Sequence, residues 1–123
     1  MGTVHALHKW TVGRGAYVVL AEPDAPALRA HARAGVPLLF FTELWVPLRQ
    51  RRRGAAHALI QAATDWADGT GVDFWLYVAA HGPSPRATQH DLIALYGRYG
   101  FQYAKGEWDE YEMVRRYVPR SPN

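Results

Sequence analysis

The chain has no cysteine in its 123 residues, which excludes disulfide scaffolds, thiol nucleophiles and thiolate metal centres. Its six histidines (His5, His8, His31, His57, His81 and His90) form no HExxH and no paired ligand spacing, so no metal is expected. The longest apolar stretch, residues 36–41, is strand-sized and far short of the roughly 18 residues of a membrane helix, so no membrane association is expected. No basic segment followed by an apolar one opens the chain, and the expectation is a cytoplasmic protein. GxxxxGK[ST] is also missing, and Gly13-Arg14-Gly15 lacks the third glycine of a dinucleotide fingerprint.

What is present suffices for one core. Hydrophobic residues make up 49% and aromatic residues 13% of the chain, including five Trp, which argues against disorder and for a single domain over residues 1–118 with a frayed tail at 119–123. The net charge of +3 hides an asymmetry: through residue 60, eight Lys or Arg face three Asp or Glu, and the remainder is acidic. Arg49, Arg51, Arg52 and Arg53 concentrate four positive charges within five residues.

Residues 4–12 and 15–21 read as strands across a glycine turn, and 24–35 as a short helix capped by Asp24. Residues 36–46 form a β-branched and aromatic strand stopped by Pro47. After Gly54 the period becomes helical, through Ala55, Leu59, Ala63 and Trp66 to Asp68-Gly69. Residues 72–79 suit an interior strand. Thr88 reads as the cap of a helix whose stripe is Leu92, Leu95, Tyr96 and Tyr99, and residues 101–104 and 111–118 close the chain as two strands. This order implies an α/β or α+β fold, a mixed sheet with helices packed on it.

The passage from strand to helix at residues 44–59 carries the chemistry. A helix starting near Gly54 presents unpaired N–H groups and a positive dipole end to the preceding loop, where arginines add charge and Gly54, Ala55 and Ala56 leave room for a phosphate. The alternative is tight helix packing beside solvated arginines.

At this point the chain resembles the GCN5-related N-acetyltransferase superfamily. Arg51-Arg52-Arg53-Gly54-Ala55-Ala56 matches that family's [Q/R]-x-x-G-x-[G/A] turn, and Tyr96-Gly97-Arg98-Tyr99-Gly100-Phe101 matches its helical Tyr followed by x-x-x-Gly-Phe. Residues 76–101 are also similar to small phage-encoded acetyltransferases. The resemblance implies a mixed, mostly antiparallel sheet flanked by helices. It also implies acetyl-CoA as cofactor and a primary-amine acceptor, a protein lysine or N-terminus or else a small amine, whose nitrogen attacks directly in a ternary complex. The family usually places about forty helical residues between its first two strands, and only about 35 residues precede the signature strand here. A shortened N-terminal region and an open acceptor side, or one completed by a second copy, are therefore expected.

The resemblance also assigns roles. Arg51, Arg52, Arg53, Gly54, Ala55 and Ala56 would hold the cofactor's pyrophosphate, and a backbone N–H of Leu44, Trp45 or Val46 would hold the acetyl oxygen. Tyr96 would donate to the departing thiolate, and Thr88, near a position often filled by Asn, could cap the helix or reach the cofactor. A lysine-like amine costs about 4 to 5 kcal/mol to deprotonate at pH 7. Glu43, the only acid in its strand, is the candidate base. Glu43 reads equally as an exposed or ion-paired strand residue, and Tyr96 as a core tyrosine. Trp45, Trp75 and Trp108 are expected to pack on the sheet, with Trp75 or Trp108 also candidates for an acceptor groove. Two other functions compete: an inactive member of the same fold that binds a protein partner, and a nucleic-acid-binding module using the arginine cluster, which lacks the aromatic-interleaved pattern of RNA binders.

Overall fold

The computed structural model describes residues 6–12, 15–45, 54–79, 85–107 and 110–119, and for residues 6–12, 43 and 85–88 the backbone alone. The elements run β1 (Ala6–Val12), β2 (Ala16–Ala21), α1 (Ala25–His31), β3 (Leu38–Trp45), α2 (Ala55–Thr70), β4 (Asp73–Tyr77), α3 (Pro85–Arg98), β5 (Gln102–Lys105) and β6 (Glu112–Arg115). Six strands form one sheet in the order β1-β2-β3-β4-β6-β5. β3 and β4 pair in parallel, and every other ladder is antiparallel. The parallel pair requires a crossover, which α2 supplies.

Alternation along the strands sorts the side chains onto two faces. Ala16, Val18 and Leu20 of β2, Phe41 of β3, Phe74 and Leu76 of β4 and Met113 of β6 join Leu59, Ile60, Ala63 and Ala67 of α2 and Tyr96 of α3 in the main core. Leu59 and Ile60 are fully buried, each worth about 2 to 3 kcal/mol of apolar transfer. The alanines beside them let the α2 backbone lie close to the sheet. On the other face α1 covers a smaller cluster of Ala27, Leu38, Trp75 and Val114.

The Asp24 side chain accepts from the Ala27 amide at 2.8 Å, as a helix cap should. The helix it starts ends at His31, short of the expected residue 35, because Ala32 turns extended. α2 runs past Gly69 to Thr70, and Gly71, at φ 85°, is the left-handed residue that ends it, its N–H donating to the Ala67 carbonyl at 2.8 Å. α3 begins at Pro85, so Thr88 lies inside its first turn and is not its cap. Proline has no N–H to lose at that position and initiates the helix three residues early.

One buried acid organises the start of β4. The Asp73 carboxylate takes a bidentate pair from Arg33 at 2.7 and 2.8 Å, Arg116 Nη1 at 3.0 Å and the Tyr117 amide at 2.9 Å. Burial alone would raise its pKa; these donors outweigh that and hold it below the ordinary carboxylate value.

Candidate active site

The parallel ladder of β3 and β4 is short. It joins Leu38 to Asp73, Leu39 to Phe74 and Phe40 to Trp75, and there it ends. Beyond it β3 continues beside β2 to Trp45 while β4 continues beside β6 to Tyr77. Two strands that stop pairing in mid-sheet leave a wedge between them. A cavity of about 350 Å³ occupies that place, lined by Tyr17, Phe41, Thr42, Leu44, Trp45, Tyr77, Ala79 and Tyr96. Phe41 and Tyr96 belong to the core face carrying α2 and α3, and Leu44 packs against that core. Tyr17, Trp45 and Tyr77 fall on the α1 face, so the opening reaches both sides of the sheet.

β3 carries an irregularity at the wedge. Val19 of β2 faces Glu43 while its neighbour Leu20 faces Phe41, so Thr42 is one residue too many for the ladder. Such a bulge takes backbone polar groups out of the sheet's own bonding, here in a residue that lines the cavity.

Tyr96 is 7% exposed. Its ring meets Phe41 and Phe101 edge-on at centroid distances of 5.9 and 5.5 Å. Burial pushes the phenol well above its ordinary pKa, so the hydroxyl stays protonated at any physiological pH. α3 is tied to the end of β4 through the buried Gln89, whose Nε2 donates to the Val78 carbonyl at 2.9 Å.

Gly54 precedes α2 at φ 80°, ψ 4°, a left-handed conformation that favours glycine. Among the described residues a Cβ there would meet nothing within 4 Å beyond its chain neighbours, so the need for glycine is conformational. The first recorded bond of the helix runs from the Ala58 amide to the Gly54 carbonyl at 2.9 Å. The amides of Gly54, Ala55 and Ala56 therefore precede the intrahelical ladder. Ala55 is buried in the same cluster as Phe41 and Tyr96, which puts this helix end on the Tyr96 face.

Of the residues singled out from sequence, Leu44, Trp45 and Tyr96 meet at the cavity. Glu43 stands opposite Val19, and its side chain, like that of Thr88, lies outside the described residues, as do Val46, Arg51, Arg52, Arg53 and Trp108. One tryptophan departs from the expectation: Trp45 is 47% exposed and lines the cavity instead of packing on the sheet. Trp75 packs on the sheet as expected, buried with Ala27, Leu38 and Val114 and donating to Glu112 Oε1 at 2.7 Å. His57 is exposed and pairs through Nδ1 with the Tyr99 hydroxyl at 3.0 Å. Tyr17, Thr42 and Tyr77 were missed, because only the strand register brings them to the wedge. Among the described residues no group of three or more His, Asp or Glu could hold a metal ion, and no helix is long and apolar enough to cross a membrane.

No family model matches the chain, and no curated protein matches it. Solved structures do. The anti-CRISPR protein AcrVA5 superposes with a TM-score of 0.60 at 21% identity, over 87% of this chain and 95% of that one. NAA60 from Arabidopsis thaliana, in complex with acetyl-CoA, gives 0.58 at 23% identity, over 82% and 64%. The PaiA N-acetyltransferase from Thermoplasma acidophilum, in complex with coenzyme A, gives 0.55 at 13% identity, over 83% and 53%. The chain thus spans nearly all of AcrVA5 and about half to two thirds of the other two.

Proposed function

We propose, starting from the GCN5-related N-acetyltransferase fold that this chain adopts, that it transfers the acetyl group of acetyl-CoA to a primary amine in a ternary complex. The observation that carries this reading is the wedge between β3 and β4, open through the sheet and walled by Tyr96. The residues fit the cofactor on two counts: an elongated thioester needs a passage between strands, and its pyrophosphate needs amides that precede the intrahelical ladder, as at Gly54. Bound there, acetyl-CoA supplies an activated acetyl group.

The chain's own residues divide the remaining work. The amides of Gly54, Ala55 and Ala56, with Arg51, Arg52 and Arg53, hold the pyrophosphate, and Thr88 is a further candidate contact for the same ligand. The backbone from the Thr42 bulge through Leu44 and Trp45 to Val46 directs an N–H at the acetyl oxygen, where negative charge develops. Glu43, directly or through water, takes the proton that the amine loses. Tyr96 keeps its proton because it is buried, and so presents a donor to the sulfur as the C–S bond breaks. A donor of this kind stabilises the leaving thiolate whether or not the proton fully crosses.

Acetyl-CoA at about 100 times its dissociation constant should stabilise the fold by about 2.7 kcal/mol, measured as a rise in Tm. Amine acceptors should then release free coenzyme thiol. No stabilisation at millimolar acetyl-CoA would remove the reading. Stabilisation without thiol release from any amine would leave a cofactor-binding protein that acts through a partner.

A further inference from the structure

A second, smaller cavity of about 90 Å³ lies between α1 and the sheet. Asp24 and His31 wall it from the helix side, Trp75 and Tyr77 from β4, and Lys105 and Glu112 from β5 and β6. The strand registers set Tyr77 opposite Glu112 and Glu112 opposite Lys105, so these three form one row across the cavity. Ala27 and Ala30 of α1 also line it, and their small side chains leave the space unfilled. Tyr77 is the single described residue that this cavity shares with the wedge.

The proposed acetyl transfer uses none of the charged groups here. Glu112 is 9% exposed, and its Oε1 accepts from Trp75 Nε1 at 2.7 Å and lies 3.1 Å from His31 Nε2. Its Oε2 takes no hydrogen bond among the described residues. A carboxylate oxygen so nearly buried calls for a donor inside the cavity. Asp24 is in a similar position: Oδ1 caps α1 by accepting from the Ala27 amide, and Oδ2 takes no bond among the described residues. Lys105 lines the same cavity, yet its ammonium forms no ion pair with either carboxylate. The Tyr77 hydroxyl is pushed up from its ordinary pKa, first by burial and then by the carboxylates of Glu112, Asp24 and Glu110, so it stays a donor.

An ammonium and two carboxylates that face one cavity without meeting are complementary to a ligand that carries both signs. A simple cation would be repelled by Lys105, and a simple anion by Glu112 and Asp24. At about 15 Å³ for each water-sized group, the space holds about six non-hydrogen atoms. The Trp75 and Tyr77 rings, edge to face at 4.9 Å between centroids, add an apolar corner. We propose that this cavity binds a small α-amino acid as its zwitterion, the ammonium at Glu112 and Asp24, the carboxylate at Lys105 and a methyl-sized side chain against Trp75 and Tyr77. The ligand is not an acetyl acceptor here, because an amine held as ammonium between carboxylates has no lone pair to attack a thioester. The site therefore stands apart from the wedge and does not depend on the acetyl-transfer reading.

The Trp75 indole N–H resonance reports on the bond to Glu112 and serves as the probe in a titration at constant ionic strength. L-Alanine is compared with its methyl ester, which lacks the carboxylate, and with N-acetyl-L-alanine, which lacks the ammonium. L-Alanine should move the resonance saturably, with a dissociation constant of about 1 to 10 mM for a ligand of this size. Each blocked analogue should bind at least about tenfold more weakly. Lys105 is exposed, so its replacement leaves the fold in place. Lys105→Met should weaken L-alanine about tenfold without weakening the methyl ester, and Lys105→Arg should restore most of the loss. No shift at tens of millimolar L-alanine, the result expected of a cavity that holds water alone, overturns the inference. Blocked analogues that bind as well as L-alanine, or a Lys105→Met protein that binds it as the parent does, overturn it too.

Discussion

The two ends of the β3/β4 pair are built from opposite materials. At the first, Leu38, Leu39 and Phe40 are laddered to Asp73, Phe74 and Trp75, and the Asp73 amide adds a bond to the Pro37 carbonyl at 2.9 Å. The Asp73 carboxylate then ties in Arg33, Arg116 and the Tyr117 backbone. At the second end the strands share no bond, and aromatic rings face an opening. A wedge keeps its angle only if its apex is fixed. The density of bonds at Asp73 is thus a condition for the open end to hold two reactants in register. Stability is concentrated where no chemistry is proposed, and the proposed chemistry lies where the sheet has given up its own hydrogen bonds.

Breaking the apex should have the largest effect. Asp73→Ala removes the shared acceptor of two guanidinium groups and one amide, and should cost about 3 kcal/mol in denaturant unfolding. The figure is for the carboxylate, whose side chain is 1% exposed; the arginine heads reach water and re-solvate. The pH dependence has a definite sign. Since the folded pKa of Asp73 lies below its unfolded value, its contribution is complete above about pH 4, the unfolded value, and is lost as pH falls through the folded one. Asp73→Asn should therefore lose less stability than the parent between pH 5 and pH 2. Equal acid sensitivity in the two proteins would show that the apex is held by something else.

How much of this contrast the sequence conveyed depends on the distance over which each part is encoded. The strand at residues 36–46, the glycine before α2 and the Tyr96 stripe are written in runs of fewer than a dozen residues, and the structure has them within a few positions. The Asp24 cap was equally local. α3 was expected to start at Thr88 because a capping residue outweighed the proline three positions earlier. Asp73 gave no signal: it sat in a run whose apolar neighbours marked an interior strand, while its partners Arg33 and Arg116 are about 40 residues away in each direction. Tyr17 and Tyr77 were hidden for the same reason, since a cavity between strands is a property of register. A bulge at Thr42 likewise depends on what β2 places opposite it.

At the open end, Tyr96→Phe should leave the fold and acetyl-CoA affinity in place and lower kcat by about 10- to 100-fold, read from thiol release at saturating cofactor. The ring stays, so its contacts with Phe41 and Phe101 persist, and only the hydroxyl at the cavity wall is lost. If kcat holds, the thiolate leaves without help from this phenol and Tyr96 is a wall residue only.

The smallest change sharpens the comparison most. Gly54→Ala places a left-handed alanine at the start of α2, costing about 1 kcal/mol of backbone strain and a few degrees of Tm. With no described atom beyond its chain neighbours within 4 Å of the added carbon, that strain is the expected penalty in the free protein. Any further penalty must come from what binds there. If the pyrophosphate approaches the amides there, the acetyl-CoA dissociation constant should rise about tenfold or more, beyond anything a locally strained but folded helix start explains. An unchanged dissociation constant, with Tm lowered as expected, would move the phosphate site away from Gly54 and leave this glycine only a conformational role.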